Sequence, residues 1–193
     1  MITAGEIVHG IAGAARIIRF DARVRDWFDD SLVAAKRSFW GAAITFPVQL
    51  LLELVPRGDE AAAASFDPML TALDHAIAWT AYPLAAWHIA RAFGLGAYFP
   101  RYLTAYNWWN TLQLVLLAPI IAIAAFADGD SRATILAVIG IVYTLLYAGY
   151  AVFMARVMLR AQVGHAVILM AVDLMISQTL AQLIQAIQAG PQP

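Results

Sequence analysis

Five stretches of this chain are long and apolar enough to cross a lipid bilayer, and they limit what the chain can fold into. A membrane-spanning helix needs about 20 predominantly apolar residues. The stretches are 39–55, 69–89, 106–126, 135–154 and 163–187. Hydrophobic residues make up 62% of the chain and charged residues only 13%, more apolar surface than a water-soluble fold can bury. The sequence therefore predicts an all-α, polytopic transmembrane helical bundle of about five helices.

Helix-breaking and capping residues separate these predicted spans. Asp67 and Pro68 supply an N-cap and a first-turn proline for the second span. The connection between the fourth and fifth spans has no breaker except Gly164, so it is the least marked boundary. The other separators are Pro56 with Gly58, Gly94 with Gly96 and Pro100, and the polar turn 128–131.

The segment 1–38 precedes the first span and is predicted to lie in the cytoplasm as an amphipathic helix. Its apolar residues recur at helical spacing, and arginines follow them. Two interpretations fit this pattern: a helix resting in the plane of an anionic lipid surface, or a helix packed on the protein's own inner face. The spanning domain then covers 39–187, and 188–193 form a short tail. Glu6, Arg16 and Arg19 interrupt any signal-peptide core, so we expect the N-terminus to be retained.

The cationic residues predict the orientation of the spans. Ten of the 12 Lys and Arg residues fall on one side of the predicted bundle, and only Arg57 and Arg132 fall on the other. The positive-inside rule then places the N-terminus in the cytoplasm and the C-terminus outside, in a bacterial inner membrane. Trp40, Trp108 and Trp109 fall near the inner ends of their spans, which is typical of aromatic belts at the headgroup layer. The ten cations are Arg16, Arg19, Arg23, Arg25, Lys36, Arg37, Arg91, Arg101, Arg156 and Arg160.

Four ionisable residues within the spans form a candidate intramembrane polar site: Glu53, Asp74, His75 and Asp173. An uncompensated charge at a helix centre costs about 2.5–3.5 kcal/mol on insertion scales. Asp173 is the deepest of the four and most needs a proton, a partner or an internal cavity. A proton relay or cation site is the functional interpretation, and interfacial or paired structural groups are the alternative.

Amides and prolines give further polar and flexible positions within the spans. Interhelical hydrogen bonding is the favoured role of Asn107, Asn110, Gln113, Gln178 and Gln182. Three spans also carry an internal proline, Pro47, Pro83 and Pro119, where kinks are expected.

The sequence has no signature of an enzyme, and we expect none of its residues to be catalytic. The chain has no Cys, and it lacks the Walker, G-x-S-x-G, H-E-x-x-H and G-x-G-x-x-G patterns. Its histidines show no pair at metal-ligand spacing, so no metal or cofactor is expected. Nucleic acid is not an expected partner, because no basic patch is large enough.

Two regions resemble a known family of membrane proteins. The run His88-Ile-Ala-Arg-Ala-Phe-Gly-Leu-Gly-Ala-Tyr-Phe-Pro-Arg-Tyr-Leu-Thr-Ala-Tyr-Asn, with the later Leu-Leu-Ala-Pro119, is similar to the central region of bacterial members of the Yip1-like family of five-span proteins. The segment 147–181, containing Ala155-Arg-Val-Met-Leu-Arg160, is similar to the end of that family. The resemblance implies a five-helix bundle with a cytoplasmic N-terminal segment and, for eukaryotic relatives, vesicle trafficking with small GTPases. It assigns no functional residue.

These patterns leave three functions open. The leading expectation is a non-catalytic membrane protein that organises or accompanies other membrane components, with the bilayer and other membrane proteins or a second copy of itself as partners. Small residues such as Ala81 and Ala85 favour it, because they let helices approach closely. The alternatives are a small transporter or channel that uses the intramembrane carboxylates, and an accessory subunit of a respiratory or photosynthetic complex.

Overall fold

The computed structural model of the protein describes residues 2–53, 67–124, 126–127 and 129–189. Its regular elements are all helices, and these residues contain no strand, which confirms the all-α prediction. The α-helices are α1 (Ala4–Ile18), α2 (Leu32–Ser38), α3 (Trp40–Glu53), α4 (Pro68–Ala92), α5 (Phe99–Ala124), α6 (Gly129–Met158) and α7 (Val163–Ala189). Two 3-10 helices, Ala22–Trp27 and Gly96–Tyr98, connect them.

Three of these helices are long and apolar enough to span a membrane, as expected for a membrane protein. They lie within Gly96–Ala124, Asp130–Met158 and Val163–Gln188, and correspond to α5, α6 and α7. Only 11% of the most apolar part of α6 and of α7 is buried inside the protein. Their exposed residues include Leu145 and Met175, so both helices present apolar side chains outward.

The two remaining predicted spans differ from this group in length or composition. Helix α4 has 25 residues, enough to cross a bilayer, but Asp74, His75 and His88 reduce its apolar character. Helix α3 has 14 described residues. The predicted end of the first span at 54–55 lies outside the described residues, as do Pro56, Arg57, Gly58, the start of the polar turn at Asp128 and the tail 190–193.

Helix α5 is the centre of the bundle. It packs against α1, α2, α3, α4 and α6, while α7 packs on α4 and α6. Its first half buries a run of aromatic and polar side chains, and Tyr102, Asn107 and Thr111 are almost fully inaccessible. The helices that pack on α5 therefore determine which polar side chains lie close together inside the bundle.

Local signals explain where α4 and α5 begin and end. The Asp67 side chain accepts hydrogen bonds from the backbone N–H groups of Met69 and Leu70, and Pro68 occupies the first turn, so the predicted cap of α4 is confirmed. Gly94 adopts a left-handed conformation (φ 72°) that ends α4. The predicted separator of Gly94, Gly96 and Pro100 falls between the end of α4 and the first turn of α5. Helix α5 already begins at Phe99, because a proline is tolerated in the first turn, where its missing N–H costs nothing.

The N-terminal segment folds onto the protein as three short helical pieces. A capping box between Thr3 and Glu6 starts α1, and Gly10 packs directly against the Trp108 ring of α5. The Glu6 carboxylate also pairs with Arg37 at the end of α2. The Thr3 backbone N–H and the Arg37 guanidinium hold the pKa of Glu6 below its usual value. Val8, on another face of α1, remains exposed.

Three connections meet at one end of the bundle. Arg101, at the start of α5, donates to the Phe28 carbonyl oxygen at 3.0 Å and pairs with Asp30 at 2.9 Å. The Arg160 guanidinium lies 4.9 Å from the centre of the Tyr98 ring. The N-terminal segment, the α4–α5 connection and the α6–α7 connection therefore share one end, as their cationic residues predict.

The interpretation of Trp108 and Trp109 as members of a headgroup belt is wrong. Both side chains are buried, at 4% and 3% exposure. Trp108 lies beneath Gly10, and Trp109 stacks within 4.7 Å of the Tyr150 ring. Trp40, in contrast, is exposed at the start of α3. Trp108 and Trp109 therefore contribute to the protein core and not to a membrane interface.

Candidate functional site

Asp173 is a buried carboxylate near the middle of α7, with 2% of its surface exposed. The Tyr106 hydroxyl of α5 donates to its Oδ1 at 3.1 Å, and the Tyr147 hydroxyl of α6 donates to its Oδ2. A charged group in an apolar bundle is tolerated only where such partners replace water. The sequence predicts that Asp173 needs a proton, a partner or an internal cavity. The structure provides two partners, and both of these tyrosines also line a cavity.

Further tyrosines surround this carboxylate. The Tyr82 and Tyr102 hydroxyls form a hydrogen bond, and both are buried. The Tyr106 ring lies 4.8 Å from Tyr82 and 6.0 Å from Tyr102, measured between ring centres. Four helices thus contribute to one polar cluster around Asp173 in the core of the bundle. The sequence did not identify Tyr82, Tyr102 or Tyr106 as site residues, since isolated tyrosines in apolar helices are usually packing groups.

A cavity of about 420 Å³ lies among α3, α4, α5, α6 and α7. Its volume is within the range of about 300–1,000 Å³ that is typical of small-molecule sites. Its polar lining consists of Thr45, Gln49, Asp74, His75, Asn110, Thr144, Ser177 and Gln178, and its aromatic lining of Trp79, Tyr106, Tyr143 and Tyr147. We call it the central cavity. Asp74 and His75 both line this cavity. Tyr106 and Tyr147, whose hydroxyls donate to Asp173, line it as well.

His75 lines the central cavity and also joins two helices. Its Nε2 lies 2.9 Å from the carbonyl oxygen of Ala42 in α3. A carbonyl oxygen can only accept, so Nε2 carries the proton of this bond. The ring also packs on Phe46 and Trp79, at 5.3 Å and 5.9 Å between ring centres. His75 therefore positions α3 against α4 and shapes the cavity wall.

A second space of about 340 Å³, the adjoining cavity, lies beside the first and is lined by residues of α3, α4 and α7. The two cavities share Asp74, Ala78 and Ser177. Glu53 and Gln188 line the adjoining cavity near the ends of α3 and α7. Glu53 and Asp74 thus line the adjoining cavity, and Asp74 also lines the central cavity. The central cavity is lined in turn by Tyr106 and Tyr147, the hydrogen-bond donors to Asp173.

The predicted interhelical amides have mixed roles. Asn107 Nδ2 donates to the Ser38 hydroxyl of α2 at 2.9 Å, which is an interhelical bond, whereas Gln113 bonds to Asn110 within α5. Gln178 lines the central cavity, while Gln182 is exposed and lines neither of the two adjacent cavities. The glutamines of α7 therefore do not act as one set.

The bundle also holds a cavity of about 440 Å³ between the N-terminal segment and α5. Its main polar groups are occupied with one another. Glu6 pairs with Arg37, and the His9 Nε2 and Trp27 Nε1 atoms each bond to the other residue's carbonyl oxygen, at 2.9 and 2.8 Å. This N-terminal cavity therefore has the character of a docking interface, and the central cavity is the better candidate site.

No group of three or more His, Cys, Asp or Glu side chains capable of holding a metal ion occurs among the described residues. The lining of the central cavity is aromatic, amide and hydroxyl in chemistry, with Asp74 as its carboxylate. Such groups bind a small polar molecule through hydrogen bonds and ring contacts. Comparison with known proteins gives no match to a family model, to a curated protein or to a solved structure.

Proposed function

We propose that this protein is a small membrane carrier that binds a polar solute inside its helical bundle. One observation supports this function above the others: five helices surround a cavity of about 420 Å³ that contains Asp74 and is backed by the hydrogen-bonded Asp173. Intramembrane carboxylates are costly, and their usual roles are in solute, ion or proton pathways.

The proposed topology has five spans, α3 to α7, with the N-terminal segment in the cytoplasm of a bacterium. The length of α4 and the apolar character of α5, α6 and α7 support it. The meeting of three cationic connections at one end of the bundle supports the orientation, because alternate connections of a five-span protein share a side. In this arrangement Glu53 and Gln188 lie toward the outside.

The cavities suggest an outward-facing state in this topology. The adjoining cavity leads from the outer ends of α3 and α7 to the central cavity. Toward the cytoplasm, the Tyr82–Tyr102 pair is buried in the core and the N-terminal segment packs on α5. Pro47, Pro83 and Pro119 lie inside α3, α4 and α5, where each removes a backbone hydrogen bond and permits bending. Movement about these positions would expose the site to the other side.

Cysteine accessibility tests this proposal directly, because the natural chain contains no Cys. In the variant Ser177→Cys, the new thiol lines both cavities. We expect it to react with membrane-impermeant methanethiosulfonate reagents added outside sealed right-side-out vesicles, since the cavity admits water. The extent of modification is measured by mass spectrometry of the purified protein.

Two further cysteine variants serve as controls, one expected to be unreactive and one expected to react freely. Leu145→Cys, at an exposed apolar position of α6, should stay unmodified, since a thiol in lipid does not ionise. Ser131→Cys, exposed at the start of α6, should react freely. If Ser177→Cys behaved like Leu145→Cys, the carrier proposal would be wrong. A role in organising or accompanying other membrane proteins, including the role implied by the Yip1-like resemblance, would then be favoured.

A further inference from the structure

We infer that the central cavity selects a small organic ammonium ion, a substrate class that rests on the proposed carrier function. The juxtaposition that carries this inference is a carboxylate and a set of aromatic rings that line one cavity of the proposed membrane-spanning bundle. Asp74 supplies the charge, and Trp79, Tyr106, Tyr143 and Tyr147 supply the rings.

The charge of the lining favours a cation. Asp74 lines both cavities, and no Lys or Arg occurs among the described residues that line either of them. The Nε2–H of His75 is committed to the Ala42 carbonyl. Tyr106 and Tyr147, which line the central cavity, donate their hydroxyl hydrogen bonds to the buried carboxyl group of Asp173. An anionic solute would meet the Asp74 carboxylate in a cavity whose described lining includes no Lys or Arg.

The aromatic lining favours an organic cation over a hydrated metal ion. Ring faces attract ammonium groups, and this attraction strengthens when the cation is desolvated. The Tyr143 and Tyr147 rings lie 5.8 Å apart between centres on α6, while Trp79 lines the cavity from α4. Alkyl groups on the nitrogen would pack against these rings, and N–H groups would reach Asp74 or the Asn110 and Gln178 amides.

Size and ligand chemistry argue against a bare metal ion. A site for a divalent cation brings several carboxylate or carbonyl oxygens within about 2.0–2.6 Å of one point. The described residues contain no cluster of acidic or histidine side chains that meets this requirement. A volume of about 420 Å³ is instead suited to a molecule of several non-hydrogen atoms.

The test compares two impermeant thiol reagents of similar size and opposite charge on Ser177→Cys. One carries a trimethylammonium group, and the other carries a sulfonate. We expect the cationic reagent to be favoured roughly tenfold or more, relative to the same ratio measured on Ser131→Cys. Tetramethylammonium in the medium should slow modification of Ser177→Cys and leave Ser131→Cys unaffected. Adding Asp74→Asn to Ser177→Cys should abolish both the charge preference and the protection.

Asp130→Asn is the matched control for Asp74→Asn, because Asp130 is an exposed carboxylate at the start of α6 and lines neither cavity. It should preserve the preference and the protection. Reaction of both reagents without charge preference, and without protection by tetramethylammonium, would overturn the ammonium assignment while leaving the carrier proposal intact. Failure of both reagents to reach the introduced thiol would instead overturn the carrier proposal. A native elution profile in detergent establishes that each variant is folded.

Discussion

At the scale of single residues, the hydrogen bonds to Asp173 hold three helices together. Tyr106 belongs to α5, Tyr147 to α6 and Asp173 to α7. In the proposed bilayer arrangement, the outer surfaces of α6 and α7 gain little from burial, because lipid is as apolar as the side chains that would face it. Polar contacts inside the bundle therefore contribute a larger share of the folding stability here than they would in a water-soluble protein.

Tyr147→Phe removes one of the two hydroxyl donors to Asp173 without changing the ring. We expect it to lower the free energy of unfolding by about 1–2 kcal/mol, because a buried acceptor loses a partner. Unfolding by SDS in mixed micelles, followed by circular dichroism, measures the change.

Tyr150→Phe is the matched control on the same helix. The Tyr150 ring packs on Phe20 and Trp109, and its hydroxyl has no hydrogen-bond partner among the described residues. Its loss should change the free energy of unfolding by less than about 0.5 kcal/mol. Equal effects of the two variants would show that the Tyr147 hydroxyl does not stabilise the fold through Asp173.

The sequence identified Asp173 as a residue that needs a partner, but it did not identify the partner. A charge deep in an apolar helix is recognisable from composition alone. Tyr106 and Tyr147 lie 67 and 26 residues away along the chain, and only the rotation and height of their helices bring them to the carboxylate. Helical periodicity fixes which residues share a face but not which neighbour that face meets.

At the scale of elements, the docking of α1 on α5 depends on the absence of a side chain at Gly10. A Cβ atom at this position would lie 2.3 Å from two atoms of the buried Trp108 ring. We expect Gly10→Ala to weaken docking by about 1–3 kcal/mol, because overpacking forces the helices apart. Tryptic cleavage at Arg16 and Arg19 in detergent should then accelerate roughly fivefold or more.

Gly5→Ala is the control within the same helix. Its Cβ would have Thr3 Oγ1 as its nearest neighbour, at 3.9 Å, and alanine favours the helix by about 0.5–1 kcal/mol over glycine. Cleavage should therefore stay at the parent rate or slow. Unchanged cleavage of Gly10→Ala would mean that α1 does not dock through this contact.

The pairing of Glu6 with Arg37 adds a pH-dependent contribution to the same docking. The folded-state pKa of Glu6 lies below its unfolded value, so the contribution is present at neutral pH. It is lost as the pH falls through the folded-state pKa. Both side chains are partly exposed, so salt screening limits this contribution.

Element boundaries were predictable where a local signal sets them. Asp67 and Pro68 define the start of α4 in sequence and structure alike. Gly94 and Pro100 mark the connection between α4 and α5, and Pro100 is accepted in the first turn of α5. The docking of α1 was left open between lipid and protein, because its apolar face fits either surface. Gly10 and Gly13 are buried by contacts from distant parts of the chain, which periodicity does not reveal.

At the scale of the whole molecule, the proposed orientation is testable with the same cysteine chemistry. Lys36→Cys is exposed in α2, and Ser131→Cys is exposed at the start of α6. In sealed right-side-out vesicles, an impermeant maleimide should label Ser131→Cys and spare Lys36→Cys, and permeabilisation should make the two equal. The reverse pattern would invert the topology, and labelling of both in sealed vesicles would contradict the five-span arrangement.

The all-helical architecture follows from composition and period, because a bilayer admits few other ways to satisfy the backbone. The helices that carry ionisable groups are harder to assign. Asp74 and His75 make α4 less apolar than α5, α6 and α7, so a feature that marks the candidate site also weakens the signal for a span. The central cavity has no signature in the sequence, since its lining comes from five separate helices.

The limited burial of α6 and α7 has a mechanical consequence. Two helices that bury so little of their surface inside the protein can shift as a pair with little loss of internal packing. Their motion relative to α5 is restrained at the carboxylate of Asp173, which must release Tyr106 when α7 moves away. The Tyr106–Asp173 hydrogen bond is thus a polar contact that any displacement of this helix pair away from α5 has to break.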